Sequence, residues 1–291
     1  MTPAAMERLR ALPPDELARR RHAVRVLVVS GLGLNCERET AEGFHLAGAS
    51  PTIVPLGDLL DGSDGGQLEQ AAILALPGGF AFGDHLGAGF VFAARIRRHL
   101  EDAVVAFLER GGLALGICNG FQTMTRLGLL PGFDGDYRTP RATLAPNERL
   151  GYRNAWVRLA AEAASPCLWT RGLATMDLPS RHGEGRFLTA DPTDAARLEA
   201  AGQIALRYVD VDGRRAEQWP DNPNGSPGAV AGVCDPSGRI LGLMPHPDAF
   251  LYPFQHPDWY RRQALGLPNP TEGGGLALFR NGVDAAAAAG L

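Results

Sequence analysis

The sequence Gly116-Ile117-Cys118-Asn119-Gly120-Phe121-Gln122 places a cysteine between glycines at the end of the apolar run 113–115. Small residues two positions before and after a nucleophile permit a sharp strand-to-helix turn, because a side chain there would collide with neighbouring backbone. The turn would put Cys118 at the N-terminus of a helix over 119–127, where free N–H groups and the helix dipole favour the thiolate. The spacing therefore predicts an activated nucleophile.

A nucleophilic cysteine needs a base to take its proton and a group that orients the base. His246 follows the apolar stretch 240–244, so it falls at a strand end, where catalytic groups of α/β proteins gather. His256 belongs to a second His-Pro-Asp sequence but has no such strand before it. Asp248 can orient the His246 imidazole from the same loop. The pattern predicts a triad of Cys118, His246 and Asp248.

Two glycine-bearing segments are expected beside this cysteine. Gly78, Gly79 and Phe80 follow a predicted strand, and their backbone N–H groups could hold an oxyanion together with the N–H of Asn119. The sequence His182, Gly183, Glu184 forms a tight loop with ionisable groups that could line a pocket, although a plain surface turn explains it as well.

These residues need elements to position them, and the first half of the chain alternates strand and helix patterns. Such alternation predicts a parallel sheet covered by helices, with ligands at the carboxyl ends of its strands. Later segments such as 155–159 and 204–208 look antiparallel or mixed, and residues 235–238 suit a hairpin turn between 229–233 and 240–244. The earlier predicted elements are strands over 24–29, 51–55 and 71–76 and helices over 37–47 and 88–110.

Composition indicates a globular protein and excludes some kinds of partner. The chain of 291 residues is 45% hydrophobic and can bury a full core. Its net charge of −4 argues against nucleic-acid or membrane surfaces as partners. Cys36, Cys118, Cys167 and Cys234 lie far apart, which predicts neither a disulfide framework nor a metal site and suits a reducing cytoplasm. Cys36 lies in a strand-end loop that could approach the site, but packing is its expected role. No segment has the roughly 18 apolar residues of a membrane span.

Four motifs of this chain closely resemble those of class I glutamine amidotransferases. They are the cysteine motif, Pro77-Gly78-Gly79-Phe80 with Phe82-Gly83-Asp84, His182-Gly183-Glu184-Gly185 and Met244-Pro245-His246-Pro247-Asp248. Within that class they most resemble the glutaminase subunits of phosphoribosylformylglycinamidine synthases. The resemblance runs from about residue 24 to 248 with the motifs in the expected order. It implies an α/β, flavodoxin-like mixed sheet flanked by helices.

The resemblance also implies a chemistry. Cys118 would attack the side-chain amide of glutamine and release ammonia, and water would then hydrolyse the glutamyl thioester. His246 would be base and acid, Asp248 its orienter, Gly79 and Asn119 the oxyanion hole, and Gln122 a contact to bound glutamine. Ammonia would pass to a formylglycinamidine ribonucleotide synthetase subunit, with a small accessory subunit as an optional third partner. This chain would need no cofactor of its own, with ATP and magnesium on the synthetase.

This chain departs from the family pattern at three places. Asp248 replaces the usual glutamate, so its carboxylate is one methylene shorter. Gly87 stands where an arginine is common. The ends are long, which divides the chain into an N-terminal extension 1–22, an amidotransferase domain 23–250 and a C-terminal extension 251–291 that packs on the domain or on a partner.

Three alternatives remain open at this stage. The chain could be the glutaminase subunit of another synthetase. The Asp248 change could mark a weakened, non-catalytic paralogue that acts as a binding or regulatory partner. A cysteine hydrolase of the same sheet architecture without an ammonia acceptor fits less well, because Gln122 and the two glycine loops suit glutamine.

Overall fold

A computed structural model describes residues 3–291, so Met1 and Thr2 of the expected N-terminal extension lie outside the described range. Its strands are β1 Arg25–Ser30, β2 Ser50–Pro55, β3 Ile73–Leu76, β4 Leu113–Ile117, β5 Ala142–Pro146, β6 Arg153–Ala161, β7 Thr175–His182, β8 Glu184–Thr189, β9 Ile204–Val209, β10 Val230–Cys234 and β11 Ile240–Leu243. Its helices are α1 Pro3–Arg10, α2 Pro14–His22, α3 Glu37–Leu46, α4 Leu56–Asp61, α5 Gln67–Gln70, α6 Phe90–Glu109, α7 Asn119–Leu127, α8 Pro192–Ala200, α9 Trp259–Ala264 and α10 Leu276–Ala289.

A nine-stranded mixed sheet of order β2-β1-β3-β4-β11-β10-β9-β6-β7 forms the centre of the described chain. The pairs from β2 to β11 are parallel, and those from β11 to β7 are antiparallel. The order β2-β1-β3-β4 is that of a flavodoxin-like sheet. A second, two-stranded antiparallel sheet pairs β5 with β8. The α/β mixed-sheet fold expected from the sequence is confirmed.

The predicted elements agree with the structure except at their ends. The helix predicted over 88–110 begins at Phe90, because Gly89 has φ 70°, a left-handed conformation that cannot belong to the helix. The hairpin is β10 and β11, joined by the predicted turn. The Asp235 carboxylate accepts hydrogen bonds from the N–H groups of Ser237 at 3.1 Å and Ile240 at 2.9 Å, which fixes this turn.

The chain ends are packed on the domain rather than appended to it. In α10, Phe279 and Val283 are fully buried, and the Phe279 ring packs edge-on against Phe44 of α3. The N-terminal helix α1 packs on α10 and buries Met6 and Leu9. Both chain ends thus bury apolar side chains against the rest of the domain.

A buried carboxylate links the two chain ends. Asp284 of α10 is fully buried, and it accepts hydrogen bonds from Nε of Arg10 at 2.6 Å and Nε of Arg21 at 2.7 Å. Arg10 also donates to Asn281 Oδ1 at 2.6 Å. A charge removed from water requires such partners, because its lost hydration is otherwise uncompensated.

Within residues 3–291, no helix is both long enough and apolar enough to cross a membrane.

We expect the double variant Arg10→Ala/Arg21→Ala to lower the free energy of unfolding by about 3 kcal/mol in urea denaturation. Breaking a buried ion pair costs about 3–5 kcal/mol, and we expect the lower value because solvent screens the partly exposed arginines. Asp284 itself is fully buried and would be left without these two partners. Arg20→Ala is the control, since Arg20 pairs with Glu16 on the surface and should contribute less than about 0.5 kcal/mol. Equal effects of the two changes would contradict a role for Asp284 burial.

Candidate active site

Cys118 lies at the junction of β4 and α7 in a strained conformation, with φ 50° and ψ −104°. The flanking glycines explain how the chain reaches it. A Cβ at Gly120 would lie 1.8 Å from the carbonyl oxygen of Leu76, and one at Gly116 would lie 2.7 Å from Sδ of Met124. The start of α7 can therefore press against the end of β3 only because residue 120 has no side chain. Cys118 is 5% exposed.

His246 and Asp248 form a hydrogen-bonded pair beside the cysteine. His246 follows β11 by three residues, and Asp248 lies in a 3₁₀ turn, Pro247–Ala249. Nδ1 of His246 and Oδ1 of Asp248 are 3.2 Å apart, and both side chains are buried. Burial disfavours the charged imidazole, but the Asp248 carboxylate and the Cys118 thiol outweigh it and raise the pKa of His246 well above its usual range. An imidazole that holds its proton beside the cysteine is suited to acid–base chemistry.

The other imidazole nitrogen, Nε2 of His246, is buried and has no hydrogen-bond partner among residues 3–291. A buried polar atom without a partner is costly, so its presence at a candidate site indicates a functional role. With Nδ1 engaged by Asp248, Nε2 is the nitrogen available to exchange a proton with a reacting group.

Gly78 gives the imidazole its space. A Cβ on Gly78 would lie 2.6 Å from Cε1 of His246, which no real structure tolerates. The same Cβ would lie 3.4 Å from Sγ of Cys36. Gly78 thus separates two side chains from different loops, a role that the sequence pattern did not reveal.

Two backbone N–H groups beside Cys118 are free. In the described chain, neither the N–H of Gly79 nor that of Asn119 donates to an acceptor, whereas Phe80 next to Gly79 donates to the Gly33 carbonyl at 2.8 Å. Asn119 is the first residue of α7, where N–H groups have no acceptor within the helix. Gly79, with φ 146°, and Asn119 follow the adjacent strands β3 and β4. Free N–H groups at adjacent strand ends can stabilise an oxyanion.

Gln122 and Asn119 tie α7 to neighbouring loops. Nε2 of Gln122 donates to the Glu184 carbonyl at 2.5 Å, and Nδ2 of Asn119 donates to Oε1 of Gln122 at 3.1 Å and to Oδ1 of Asp84 at 3.0 Å. The Glu184 carboxylate accepts from the N–H of Ala88 at 3.1 Å. The Gln122 amide is thus held by the protein itself, and its contact with bound glutamine stays a prediction.

His182 lies in a buried polar network rather than on a surface turn. Its ring nitrogens are 2.9 Å from Oγ of Ser180 and 3.1 Å from Oδ1 of Asn147. Burial, with the charges of His246 and Arg153, lowers the pKa of His182 to about 3. A neutral ring held at both nitrogens supports the end of β7, where the Arg181 carbonyl lies 3.6 Å from Sγ of Cys118. Gly183 in this loop has open space around it.

Two side chains at the site escaped the sequence motifs. The exposed Tyr152 ring packs 6.1 Å from that of Phe80, and burial together with the nearby Cys118 raises the pKa of Tyr152. Cys36, expected to serve packing, places its sulfur within 4.8 Å of a nitrogen of His246 and an oxygen of Asp248. The strand-end position of Cys36 had left this approach open, whereas no local pattern marks Tyr152, because its loop meets the site only in the folded chain.

Comparison with known proteins agrees with this geometry. Residues 23–284 match the model of the CobB/CobQ-like glutamine amidotransferase domain. The chain belongs to this glutamine amidotransferase family. The match ends beyond residue 250 and therefore includes most of α10, in agreement with the packing of that helix.

Relatives of this amidotransferase carry more specific names. The phosphoribosylformylglycinamidine synthase subunit PurQ of Methanococcus maripaludis strain C5 is 40% identical over 267 residues, which cover 89% of this chain and 97% of that protein. The subunit PurQ of Dehalococcoides mccartyi is 40% identical over 260 residues and 96% of its length. A chain in the structure of PurLQS from Thermotoga maritima is 28% identical, with a TM-score of 0.64 over 89% of this chain and 97% of that one.

The low pKa of His182 predicts a pH dependence of stability. Unfolded, the ring takes a proton near pH 6.5, whereas folded it does so only near pH 3. Between these values the unfolded state binds the extra proton, so the free energy of unfolding falls as pH falls, by up to about 1.4 kcal/mol per unit. His182→Gln should flatten this slope between pH 6 and about 4 in urea denaturation. If the free energy of unfolding fell equally steeply with pH in the wild type and in His182→Gln, the pH dependence would not come from His182.

Proposed function

We propose that this chain is the glutaminase subunit of a phosphoribosylformylglycinamidine synthase, which hydrolyses glutamine to glutamate and ammonia for de novo purine biosynthesis. The observation that carries the proposal is the hydrogen-bonded His246–Asp248 pair beside Cys118, in a chain 40% identical over most of its length to subunits of that synthase. A cytoplasmic location suits this role.

The first half-reaction forms a thioester. The proton of the Cys118 thiol is transferred to Nε2 of His246, and the sulfur attacks the side-chain amide carbon of glutamine. The carbonyl oxygen becomes an oxyanion that the N–H groups of Gly79 and Asn119 stabilise. Losing one such donor typically lowers the rate about 10²–10³-fold. His246 delivers a proton from Nε2 to the amide nitrogen, the carbon–nitrogen bond breaks, and ammonia leaves.

The second half-reaction releases glutamate. His246, now neutral, takes a proton from water as the water oxygen attacks the thioester carbon. The carbon–sulfur bond then breaks, and the sulfur of Cys118 recovers its starting state. Asp248 keeps the imidazole oriented through both steps, because its carboxylate holds Nδ1. The distance of 3.2 Å between Nδ1 of His246 and Oδ1 of Asp248 shows that the aspartate side chain is long enough to reach the imidazole. It therefore argues against the alternative of a weakened, non-catalytic paralogue.

Two carboxylates near α7 suit the α-ammonium group of glutamine. Burial raises the pKa of the Asp84 carboxyl, and the nearby negative charge of Glu184 raises it further. Asn119 also presents a buried Oδ1 that has no donor among the described residues. A cationic ligand would satisfy these acceptors, as buried polar groups require.

Exposed apolar side chains occur in the segments that follow β1, β3 and β5, and they suit a protein partner. Leu32 follows β1, Phe80, Leu86 and Phe90 follow β3, and Leu150 follows β5, with exposures of 74%, 44%, 68%, 45% and 81%. Apolar side chains grouped at one functional edge typically mark an interaction surface. We propose that the synthetase subunit, which would bind the ATP and magnesium, covers this edge and receives ammonia there. A small accessory subunit would complete the complex, as the PurLQS assembly of Thermotoga maritima suggests.

The central test measures glutamate released from glutamine by the chain alone and with a synthetase subunit, ATP and formylglycinamide ribonucleotide. We expect the wild type to release glutamate, faster with the partner. Cys118→Ala should lower the rate of glutamate release at least about 10³-fold, because no other group can form the thioester. Asp248→Ala should lower it less, because only the orientation of the His246 imidazole is affected. Activity that survives in Cys118→Ala would refute the nucleophile, and an inactive wild type with every partner would refute the function.

A second test targets Gly78. Gly78→Ala places a methyl group 2.6 Å from Cε1 of His246, so the imidazole must turn away from Asp248 and Cys118. We expect a loss of glutaminase kcat of about 10²-fold or more, because misplacing a catalytic group by about 1 Å costs that much. The matched control is Gly57→Ala in α4, where a Cβ meets no atom within 4 Å. Similar rates for the two variants would show that residue 78 does not position the imidazole.

A further inference from the structure

We propose that Cys36, His246 and Asp248 bind a zinc ion, and that this ion inhibits the enzyme by occupying its base. The three side chains offer a thiol sulfur, an imidazole nitrogen and a carboxylate oxygen within 4.8 Å of one another. Sulfur, nitrogen and oxygen ligands of these types are those that Zn²⁺ accepts, commonly three from the protein with a fourth position for water.

The fold brings these ligands together from two loops, and a third loop, which carries Gly78, leaves room between them. Cys36 follows β1 and precedes α3, and its N–H donates to the Gly78 carbonyl at 3.3 Å. Gly78 follows β3, and His246 with Asp248 follows β11. The missing side chain at Gly78 opens the space between thiol and imidazole, because a Cβ there would lie 3.4 Å from the sulfur and 2.6 Å from Cε1.

The spacing suits a tetrahedral ion after a small movement. Nδ1 of His246 and Oδ1 of Asp248 are 3.2 Å apart, close to the separation of about 3.4 Å between two ligands that each lie about 2.1 Å from a tetrahedral zinc. The Cys36 sulfur lies within 4.8 Å of a nitrogen of His246 and of a carboxylate oxygen of Asp248, so a movement of roughly 1 Å brings it to a zinc–sulfur bond of about 2.3 Å. Cys36 is partly exposed, which gives the ion a route to the two buried ligands.

Binding would have a direct chemical consequence. The ion takes the place of the proton between Nδ1 and the Asp248 carboxylate, and the Cys36 thiol releases its own proton on ligation. With Nδ1 bound to the metal, the imidazole is fixed and can no longer accept a proton from water at Nε2, which the second half-reaction requires. Inhibition therefore rests on the proposed glutaminase function, whereas zinc binding does not.

The test measures the affinity of the full chain for Zn²⁺ by competition with a chromogenic chelator, in the absence of glutamine. We expect one tight site in the wild type. Cys36→Ser should weaken it by at least the ~10–100-fold that loss of an outer-shell partner costs, because a direct ligand is removed. Cys118→Ser is the matched control, since it removes the neighbouring thiol that the site does not use, and its affinity should change less than about threefold.

Cobalt provides a second readout that does not depend on activity. Co²⁺ bound to the wild type and to Cys118→Ser should show a thiolate-to-metal charge-transfer absorption that is lost in Cys36→Ser, and circular dichroism checks that each variant is folded. Zinc inhibition of glutamate release, referred to each protein's own metal-free rate, should be at least about tenfold weaker in Cys36→Ser. No tight site in the wild type, or a site lost in Cys118→Ser but kept in Cys36→Ser, would overturn the proposal. Tight zinc binding without glutaminase activity would leave the metal site standing and refute only the function.

Discussion

A close backbone approach between α7 and β3 is the constraint on which the active site depends. Residue 120 lies so near the Leu76 carbonyl oxygen that any Cβ would overlap it. At this approach Cys118 has a strained backbone with a positive φ of 50°, and the free N–H groups of Asn119 and Gly79 lie at adjacent strand ends. Such strain persists only where the surrounding structure fixes it. Here the buried faces of β3, β4 and α7 provide that support.

The position of His246 depends on a second glycine, Gly78. Gly78 provides the space that the His246 imidazole occupies, and the same space admits the Cys36 sulfur. Around this centre, side-chain hydrogen bonds fasten the loops to one another: Gln122 holds the Glu184 carbonyl, and His182 bridges Ser180 and Asn147. Because these groups are buried, each hydrogen bond lost would leave an unsatisfied polar atom. The loops are therefore mutually fixed.

The aspartate in place of the family's usual glutamate is accommodated by the backbone that carries it. Asp248 lies in a tight 3₁₀ turn directly after His246, which brings its short side chain to the imidazole. The C-terminal segment supports this turn, since a Cβ at Gly275 would lie 2.0 Å from the Pro247 carbonyl oxygen. Helix α10, held in turn by Arg10 and Arg21, packs behind it. The long chain ends thus contribute to the support of the catalytic loop.

The parallel sheet, the strand-to-helix turn at Cys118 and the family could all be predicted from the chain's local patterns, because hydrophobic periodicity and glycine spacing are local signals. Helix α7 has the predicted bounds, 119–127. Only the folded chain shows that Tyr152 reaches the site and that Gly78 makes room for His246. It also chooses between alternatives that the sequence left open, since Cys36 lies at the site and α10 packs on the domain. These facts depend on contacts between loops far apart in the chain, whose relative positions are set by the order of strands in the sheet. No pattern within a short segment records that order.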